Sequence, residues 1–333
     1  MSKQKCVKFV FSHAAASNKK LLSVEFYSHI DVDLDFYKPL KSSFCSLTWT
    51  HGDLSKIQDL RAIAFAKDLQ SRSINTILHV GGRNFKRSDG LAIMNTIKRM
   101  GIRNILALKG GRRLDPHREC QFDVYSVNIM KAYSLQERTD MILVIGAVTE
   151  TDDSKCDFPY GLEFLQFLKQ EFGDDFTVGT SGYPIGHPAS EDPIKDIGYL
   201  KKKVDAGADF VMCQGVFDLQ TFKDFYKRCR QHQIDVPIIP AVYAINSYSV
   251  LKNLMNFCKV VPPNYLQTME RYENDEEAIT DYSVKYVSDL ITALLKDKEI
   301  TIPGVHISCF NNLAMVQKVL DKLDFVDLKI CAK

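Results

Sequence analysis

The sequence lacks the features that identify several common classes of protein. Its nine cysteines include no CxxC pair, which argues against a structural zinc site. No G-x-G-x-x-G follows the first apolar strand candidate, which argues against a Rossmann dinucleotide fold. The longest apolar run, Met141 to Val148, is far shorter than the roughly 20 residues of a membrane span. The N-terminal residues resemble neither a secretory signal nor a mitochondrial transit peptide.

Charge and composition narrow the choice of partners and compartment. A net charge of +2 gives no indication of binding to nucleic acid or to a membrane surface. The scattered cysteines are typical of reduced thiols, so we expect a cytoplasmic protein. A chain of 333 residues with 45% hydrophobic content can form a large core. The oligomeric state is left open, including assembly as a homo-oligomer.

Short apolar segments alternate with amphipathic segments along most of the chain. This alternation predicts a parallel sheet covered by helices, and eight such units favour a (βα)8 TIM barrel over a Rossmann sheet. We expect residues 1–333 to form one catalytic barrel domain. The predicted strands are Leu22–Tyr27, Cys45–Thr50, Thr76–Val80, Asn104–Lys109, Thr177–Gly182, Asp209–Gln214, Pro237–Val242 and Val305–Phe310. The predicted helices are Ile57–Ser71, Gly90–Met100, Leu162–Phe172, Asp196–Ala206, Leu219–His232, Ser247–Lys259, Asp281–Lys296 and Asn312–Leu323.

An unusually long connection follows the fourth predicted strand. It spans residues 112–159 and contains a strand-like run at Asp140–Val148. A ninth strand has no place in an eight-stranded barrel. We therefore interpret this segment as an insert or lid, because long connections in compact domains are often functional or disordered.

The chemistry of a TIM barrel lies at the carboxyl ends of its strands. Glu25 lies in an apolar strand, where burial raises the pKa of a carboxyl towards that of a general acid. The alternative is a glutamate paired with a lysine inside the barrel. Lys109 ends the fourth strand between apolar and glycine residues, and a Schiff-base aldolase built on it is a further alternative.

The segment from Gly182 to Asp218 carries the most specific pattern. It contains a GYP-x-x-HP turn, an aspartate (Asp196) at the start of a helix, and K-V-x-A-G-A-D before a strand that ends at Gln214. This pattern resembles that of the flavin-dependent methylenetetrahydrofolate reductases. The resemblance extends from an S-x-E-F motif at Ser23–Phe26 to His306–Asn311, where the family has H-F-Y-T-L-N.

The resemblance implies that NADPH or NADH reduces FAD, and that reduced FAD converts 5,10-methylenetetrahydrofolate to 5-methyltetrahydrofolate. It implies that Glu25 is the proton donor. The implied FAD-binding residues are Thr48, His79, Leu108, Lys109, Gly110, Gly111, Tyr160, Gly161, Tyr183, His187, Asp196, Lys202 and Lys203. The implied substrate-binding residues are Gln214, Phe217, Tyr248 and Asn311. Larger relatives add a C-terminal regulatory domain, which we expect this chain to lack, and no metal is implied.

Several positions depart from the family pattern, mostly on the folate side. Gly111 stands where the family has an aspartate, and Asn312 where it has an arginine. The two prolines that follow the family's E-F-F are Ser28 and His29 here. These departures support an alternative, in which the protein binds flavin but has lost folate reduction and acts through protein binding.

Overall fold

The computed structural model describes residues 6–17, 19–28, 32–37, 43–49, 60–82, 86–109, 157–187, 192–257 and 261–323. Eight parallel strands pair in sequence order and close into a barrel, since β8 pairs with β1. The predicted TIM barrel is therefore confirmed. Gly110, Gly111 and nearly all of the predicted insert, including Asp140–Val148, lie outside the described residues.

The strands lie within two residues of the predicted bounds, because each is a short buried segment and most of them are apolar. Their bounds are β1 Leu21–Tyr27, β2 Phe44–Thr48, β3 Thr76–Gly81, β4 Asn104–Leu108, β5 Thr177–Gly182, β6 Phe210–Cys213, β7 Ile238–Tyr243 and β8 Gly304–Ser308. Alternate residues face the barrel interior, and space there is limited. At Gly179 on β5, an added Cβ would lie 2.2 Å from the Phe210 ring on β6.

Helices surround the barrel and bury their apolar faces against the outer sides of the strands. Their bounds are α1 Val7–Ala16, α2 Leu34–Tyr37, α3 Arg61–Ser71, α4 Arg87–Arg99, α5 Gly161–Phe172, α6 Pro193–Asp205, α7 Leu219–Gln231, α8 Tyr248–Phe257, α9 Pro263–Arg271, α10 Glu276–Lys296 and α11 Leu313–Asp321. Helices α1, α2 and α9 were not predicted from the sequence. Within the described residues, no helix is both long enough and apolar enough to cross a membrane.

Helix α1 closes the amino-terminal end of the barrel. Its Phe11 ring lies 5.7 Å from Phe44 and 5.4 Å from Phe210, both in edge-to-face geometry. The backbone N–H of Val7 donates a 2.8 Å hydrogen bond to the Asn104 side chain, which fixes the helix to the start of β4. With this end filled by apolar side chains, polar groups are left to the opposite, carboxyl end.

A separate apolar cluster supports the connection between β7 and β8. It joins α8, α9 and the start of α10, and it is centred on the fully buried Tyr265. Helix α10 also supports two loops at the carboxyl end. The Tyr286 hydroxyl donates to the carbonyl of Phe217 at 2.9 Å, and the Ser283 hydroxyl accepts from the N–H of Ile245 at 3.1 Å.

Candidate active site

A buried carboxyl lies inside the carboxyl end of the barrel. Glu25 on β1 is only 8% exposed. The Thr48 hydroxyl on β2 donates to Glu25 Oε1 at 2.7 Å, and the Tyr27 hydroxyl donates to Oε2 at 3.2 Å. His79 Nδ1 on β3 lies 3.8 Å from Oε1. The strand register brings these side chains together, since Thr48 pairs with His79 and Glu25 pairs with Ser308 on β8.

The hydrogen bonds around Thr48 determine the tautomer of His79. The hydroxyl of Thr48 has a single proton, which it donates to Glu25. The 3.0 Å contact between Thr48 Oγ1 and His79 Nδ1 therefore needs the proton on Nδ1. We assign His79 as the Nδ1–H tautomer, which leaves Nε2 as an acceptor. This Nε2 atom is buried and has no hydrogen-bond partner among the described residues, so it is suited to a donor from a ligand.

The pKa of Glu25 differs from the sequence expectation. Burial acts to raise it, as predicted. The neighbouring His79 and His306, with hydrogen bonds from Ser308 and Thr48, outweigh burial and place the pKa of Glu25 below its ordinary value. The expected raised pKa is therefore wrong for the unliganded protein, because the strand's apolar sequence does not reveal the polar groups on neighbouring strands.

The two histidines nearest to Glu25 are both buried, and burial lowers the pKa of each. The pKa of His79 is lowered despite the opposing effect of Glu25, and that of His306 falls to about 4. Below the carboxyl, His306 bridges Ser23 at 2.8 Å and Ser46 at 3.0 Å. At neutral pH the pocket therefore holds one carboxylate beside two neutral imidazoles.

A second polar group lies between the end of β5 and the inner face of α6, with Asp196 in the first turn of the helix and Lys203 in its last. The Lys203 ammonium donates to the carbonyl of Ser181 at 2.9 Å and lies 5.4 Å from the centre of the Tyr199 ring. Burial lowers the pKa of Lys203 to about 8, although Asp196 acts to raise it. Burial also raises the pKa of Asp196, against the effects of Lys203 and His187. A buried cation of this kind is suited to an anionic ligand.

The three consecutive lysines of α6 point in different directions, because successive helical residues differ by about 100°. Lys203 is buried, whereas Lys202 is exposed to solvent. Lys201 pairs with Asp205 one turn later. The structure thus brings Lys203, but not Lys202, into the predicted site. Tyr199 contacts Lys203 but was not predicted as a site residue. Its position four residues before Lys203, one helical turn away, is visible in the sequence.

Tyr183 and His187 lie in the loop after β5. Their rings meet edge to face at 4.7 Å, and His187 contributes to the charge environment of Asp196. Burial lowers the pKa of His187, which keeps its imidazole largely neutral at neutral pH. Both residues, which were predicted to bind the cofactor, therefore lie beside the group formed by Asp196 and Lys203.

The end of β4 meets the start of α5. The Lys109 ammonium lies 4.6 Å from the centre of the Tyr160 ring. Gly161 packs so closely that an added Cβ would lie 3.4 Å from the backbone N of Lys109 and 3.5 Å from the carbonyl carbon of Leu108. The side chain of Tyr160 does not cap α5. The first N–H groups of this helix therefore lie near a cation, an arrangement suited to phosphate.

Aromatic side chains follow one another around the other side of the barrel mouth. The Tyr27 ring stacks on Phe310 at 5.7 Å, Phe310 on Tyr243 at 6.2 Å, and Tyr243 on Phe217 at 5.8 Å. The Tyr243 hydroxyl donates to Gln214 Oε1 at 3.1 Å. Gln214 and Phe217, both predicted, are thus connected to Glu25 through Tyr27.

Asn311 and Tyr248 were both predicted to bind substrate, and each makes contacts within the protein. The Asn311 amide accepts from the N–H of Tyr27 at 2.8 Å and donates to the carbonyl of Tyr27 at 3.0 Å. Tyr248 lies in the cluster centred on Tyr265, beneath the Lys252 ammonium at 4.3 Å. The structure therefore gives Asn311 a role in holding β1, and it places Tyr248 in a helix cluster.

These features define the class of the protein: a TIM barrel with a buried carboxyl, a buried ammonium and an aromatic surface at one end. A sequence profile of the methylenetetrahydrofolate reductase family matches residues 23–137 and 144–324. The chain belongs to this family. The described residues contain no group of three or more His, Cys, Asp or Glu that would hold a metal ion.

Individual relatives agree with the family match. The chain is 28% identical over 287 residues to a probable methylenetetrahydrofolate reductase (NADPH) of Caenorhabditis elegans, covering 85% of this chain and 38% of the relative. It is 28% identical over 264 residues to methylenetetrahydrofolate reductase (NADH) 1 of Zea mays, covering 76% and 39%. The chain thus spans about two-fifths of the length of these curated relatives.

One solved structure supports the fold. An uncharacterized protein from Clostridium thermocellum that binds two copies of 5-methyl-5,6,7,8-tetrahydrofolic acid aligns with a TM-score of 0.51. The alignment covers 94% of this chain and 96% of that protein, at 11% sequence identity. At this identity the likeness concerns the barrel alone.

Proposed function

We propose that this chain is a flavoprotein oxidoreductase that reduces 5,10-methylenetetrahydrofolate to 5-methyltetrahydrofolate, with FAD as cofactor and NADPH or NADH as hydride donor. The observation that carries the proposal is the buried Glu25 carboxyl, held by Thr48 at the catalytic end of a barrel of this family. The names of the relatives include both NADPH and NADH, so both donors need testing.

The side chains around the barrel mouth fit FAD. The uncapped start of α5, beside Lys109 and Gly161, would hold its diphosphate. The buried Lys203 ammonium offers a second positive charge. His79 Nε2, which has no hydrogen-bond partner in the part of the chain that the structure describes, offers an acceptor to a ring N–H. When bound, FAD would supply the hydride chemistry.

The chain itself would supply the proton. In this proposal Glu25 donates a proton to methylenetetrahydrofolate, so that the five-membered ring of the folate opens to an iminium ready for reduction. Because the pKa of Glu25 is low in the unliganded protein, it must be protonated after ligands bind. If His79 Nε2 takes up a proton from solvent or from a bound ligand, Nδ1–H can pass its proton to Thr48, whose own proton moves to Glu25 Oε1 along contacts of 3.0 and 2.7 Å, and the imidazole ends neutral.

The aromatic surface and Gln214 would hold the substrates. Planar rings of folate and nicotinamide stack well on aromatic side chains, and Gln214 offers an amide for their polar edges. Tyr243 fixes this amide by donating to its oxygen at 3.1 Å. Both substrates would use the same site in turn, which predicts ping-pong kinetics.

The experiment is an anaerobic absorbance trace of the protein reconstituted with FAD. NADPH or NADH should bleach the flavin, and methylenetetrahydrofolate should then restore its colour. Glu25→Gln should bind FAD and bleach normally but fail to recover with folate. Glu277→Gln, an exposed glutamate in the first turn of α10, serves as the matched control and should behave as the wild type.

Two outcomes would contradict the proposal. Bleaching without recovery in the wild type would favour the alternative, a flavin-binding member of the family that acts through protein binding. Absence of FAD binding would contradict both the reductase and the flavin-binding alternative. Asn312, one of the departures behind the alternative, has a structural use here, since its side chain caps α11 by accepting from Met315 N at 3.2 Å.

We further propose that the described barrel is the catalytic domain and that the protein is cytoplasmic. The five cysteines in the described residues are free thiols, which supports a reducing compartment.

A further inference from the structure

Tyr27 brings a second hydroxyl to the buried carboxyl. It follows Glu25 by two residues on β1, so both side chains face the barrel interior. Its hydroxyl lies 3.2 Å from Glu25 Oε2 and 3.3 Å from Ser308 Oγ on β8. Thr48 donates to Oε1, and Ser308 also hydrogen-bonds the carboxyl, so Tyr27 is one of three hydroxyls that surround it and the one at 3.2 Å from Oε2.

The residues after β8 hold Tyr27 in place by two independent contacts. Phe310 stacks on its ring at 5.7 Å with an interplanar angle of 12°. The Asn311 amide forms two hydrogen bonds with the backbone of Tyr27, at 2.8 and 3.0 Å.

These contacts are made from a strained backbone. Phe310 has a φ of 50° and Asn311 a φ of 62°, both in the left-handed region. This region is unfavourable for a bulky residue such as phenylalanine, and it persists only where surrounding contacts compensate for it. Ser73 and Gln233, in the turns after α3 and α7, are the other described non-glycine residues with positive φ. Phe310 and Asn311 are consecutive and both contact Tyr27, so the strained pair after β8 is the part of the chain that holds it.

We infer that Tyr27 is a positioning residue for Glu25, whose hydroxyl fixes Oε2 and leaves Oε1, on the side of Thr48 and His79, to take up and deliver the proton. This inference rests on the proposed function of Glu25 as proton donor. It adds a residue to which the family resemblance gives no role. The family's E-F-F motif has phenylalanine where Tyr27 stands, and its H-F-Y-T-L-N motif has tyrosine where Ser308 stands.

The charge environment of the carboxyl supports this role. The titratable groups that face Glu25 are Tyr27 on its own strand, His79 on β3, and His306 and Cys309 at the end of β8. Burial and the neighbouring Glu25 raise the pKa of Tyr27 well above its ordinary value, so it remains a protonated donor across the working pH range. A donor to the carboxylate favours its ionised form, so removing the hydroxyl should raise the pKa of Glu25.

The test is Tyr27→Phe, which removes the hydroxyl and keeps the ring. Tyr226→Phe is the matched control, because the Tyr226 hydroxyl, on α7, donates only to the carbonyl of Thr301 at 3.2 Å among the contacts described. The first readout is carbon-13 NMR of protein labelled at the glutamate carboxyl carbon, without cofactor. The Glu25 signal is identified by its absence from Glu25→Gln.

We expect the pKa of Glu25 to rise by about one unit in Tyr27→Phe and to stay unchanged in Tyr226→Phe. The second readout is the pH profile of flavin reoxidation by methylenetetrahydrofolate. Its high-pH limb follows loss of the proton from Glu25, so it should move upwards by the same amount. A structural role alone would lower the thermal midpoint without moving either profile.

The inference is overturned if Glu25 titrates at the same pH in Tyr27→Phe and in the wild type. The NMR titration needs no activity, so it separates the two proposals. A shifted titration in a protein that does not reduce folate would refute the proposed function and retain the role of Tyr27. Normal folate reduction with an unshifted titration would retain the proposed function and refute the role of Tyr27.

Discussion

The buried charge of Lys203 leads to a prediction that stability and ligand binding oppose each other at this position. Lys203 is 7% exposed, and burial lowers the pKa of its ammonium from 10.5 to about 8. At neutral pH the folded protein therefore carries a buried cation. The substitution Lys203→Met keeps the length and most of the volume of the side chain but removes the charge.

The size of the effect follows from the pKa values. A fall from 10.5 to about 8 corresponds to a cost of about 3.5 kcal/mol at about 1.4 kcal/mol per pH unit. Lys203→Met also loses the hydrogen bond to Ser181, which offsets about 1 kcal/mol. We therefore expect Lys203→Met to be more stable than the wild type by about 2.5 kcal/mol at pH 7.

The pH dependence has a definite sign. Below pH about 8 both the folded and the unfolded state hold the proton, so the full cost is present. Between about 8 and 10.5 the folded state loses the proton first, so the stability of the wild type rises relative to the variant. Above 10.5 the cost is gone, and the variant should no longer be the more stable protein.

Urea unfolding from pH 6 to 10 measures this difference, and FAD titration measures the functional cost. If Lys203 pairs with an anionic part of FAD, its loss should weaken binding by about ten- to a hundredfold. Lys202→Met is the control, since Lys202 is the exposed neighbour on the same helix and neither quantity should change. A pH-independent difference in stability, or a destabilised Lys203→Met at pH 7, would refute the reasoning.

Three further predictions concern the two ends of the barrel. Phe11→Ala should destabilise the protein by about 3–5 kcal/mol in urea unfolding, because Phe11 is 2% exposed and fills the amino-terminal end of the barrel. A loss below about 1 kcal/mol would contradict this, since it would mean that neighbouring side chains move in to fill the cavity. Asp218→Ala should cost about 1 kcal/mol by the same assay, because the Asp218 side chain caps α7 at 2.7 Å, whereas Asp218→Asn should cost little. Gly111→Asp should speed the reoxidation of reduced flavin by methylenetetrahydrofolate, because the family resemblance implies an aspartate at this position that stabilises the folate cation, and an unchanged rate would contradict this expectation.

The strands could be predicted from sequence because their signal is local. Segments such as Ile238–Tyr243 are short and apolar, and turn-forming residues flank them, as expected of strands buried on both faces. Helix α1 was missed although Val7, Phe11 and Ala14 lie on one face. Its role depends on the barrel end that it covers, which no local pattern reveals.

The candidate site was predicted in part. The resemblance identified Glu25, Thr48, His79 and Lys203 as site residues, and the structure brings the first three within hydrogen-bonding or ion-pair range of one another. It did not identify Tyr27. The two-residue spacing from Glu25 was the available signal, but the bond to the carboxylate depends on the contacts from β8.

The sequence by itself determined the succession of strands and helices, the barrel, and the types of residue at the strand ends. Those properties follow from hydrophobic periodicity and from motif spacing, which are local along the chain. The tertiary structure decided the low pKa of Glu25, the tautomer of His79, and the burial of Lys203 but not Lys202. Each of these depends on neighbours from other strands or helices, because electrostatic and hydrogen-bond energies are set by distance in space.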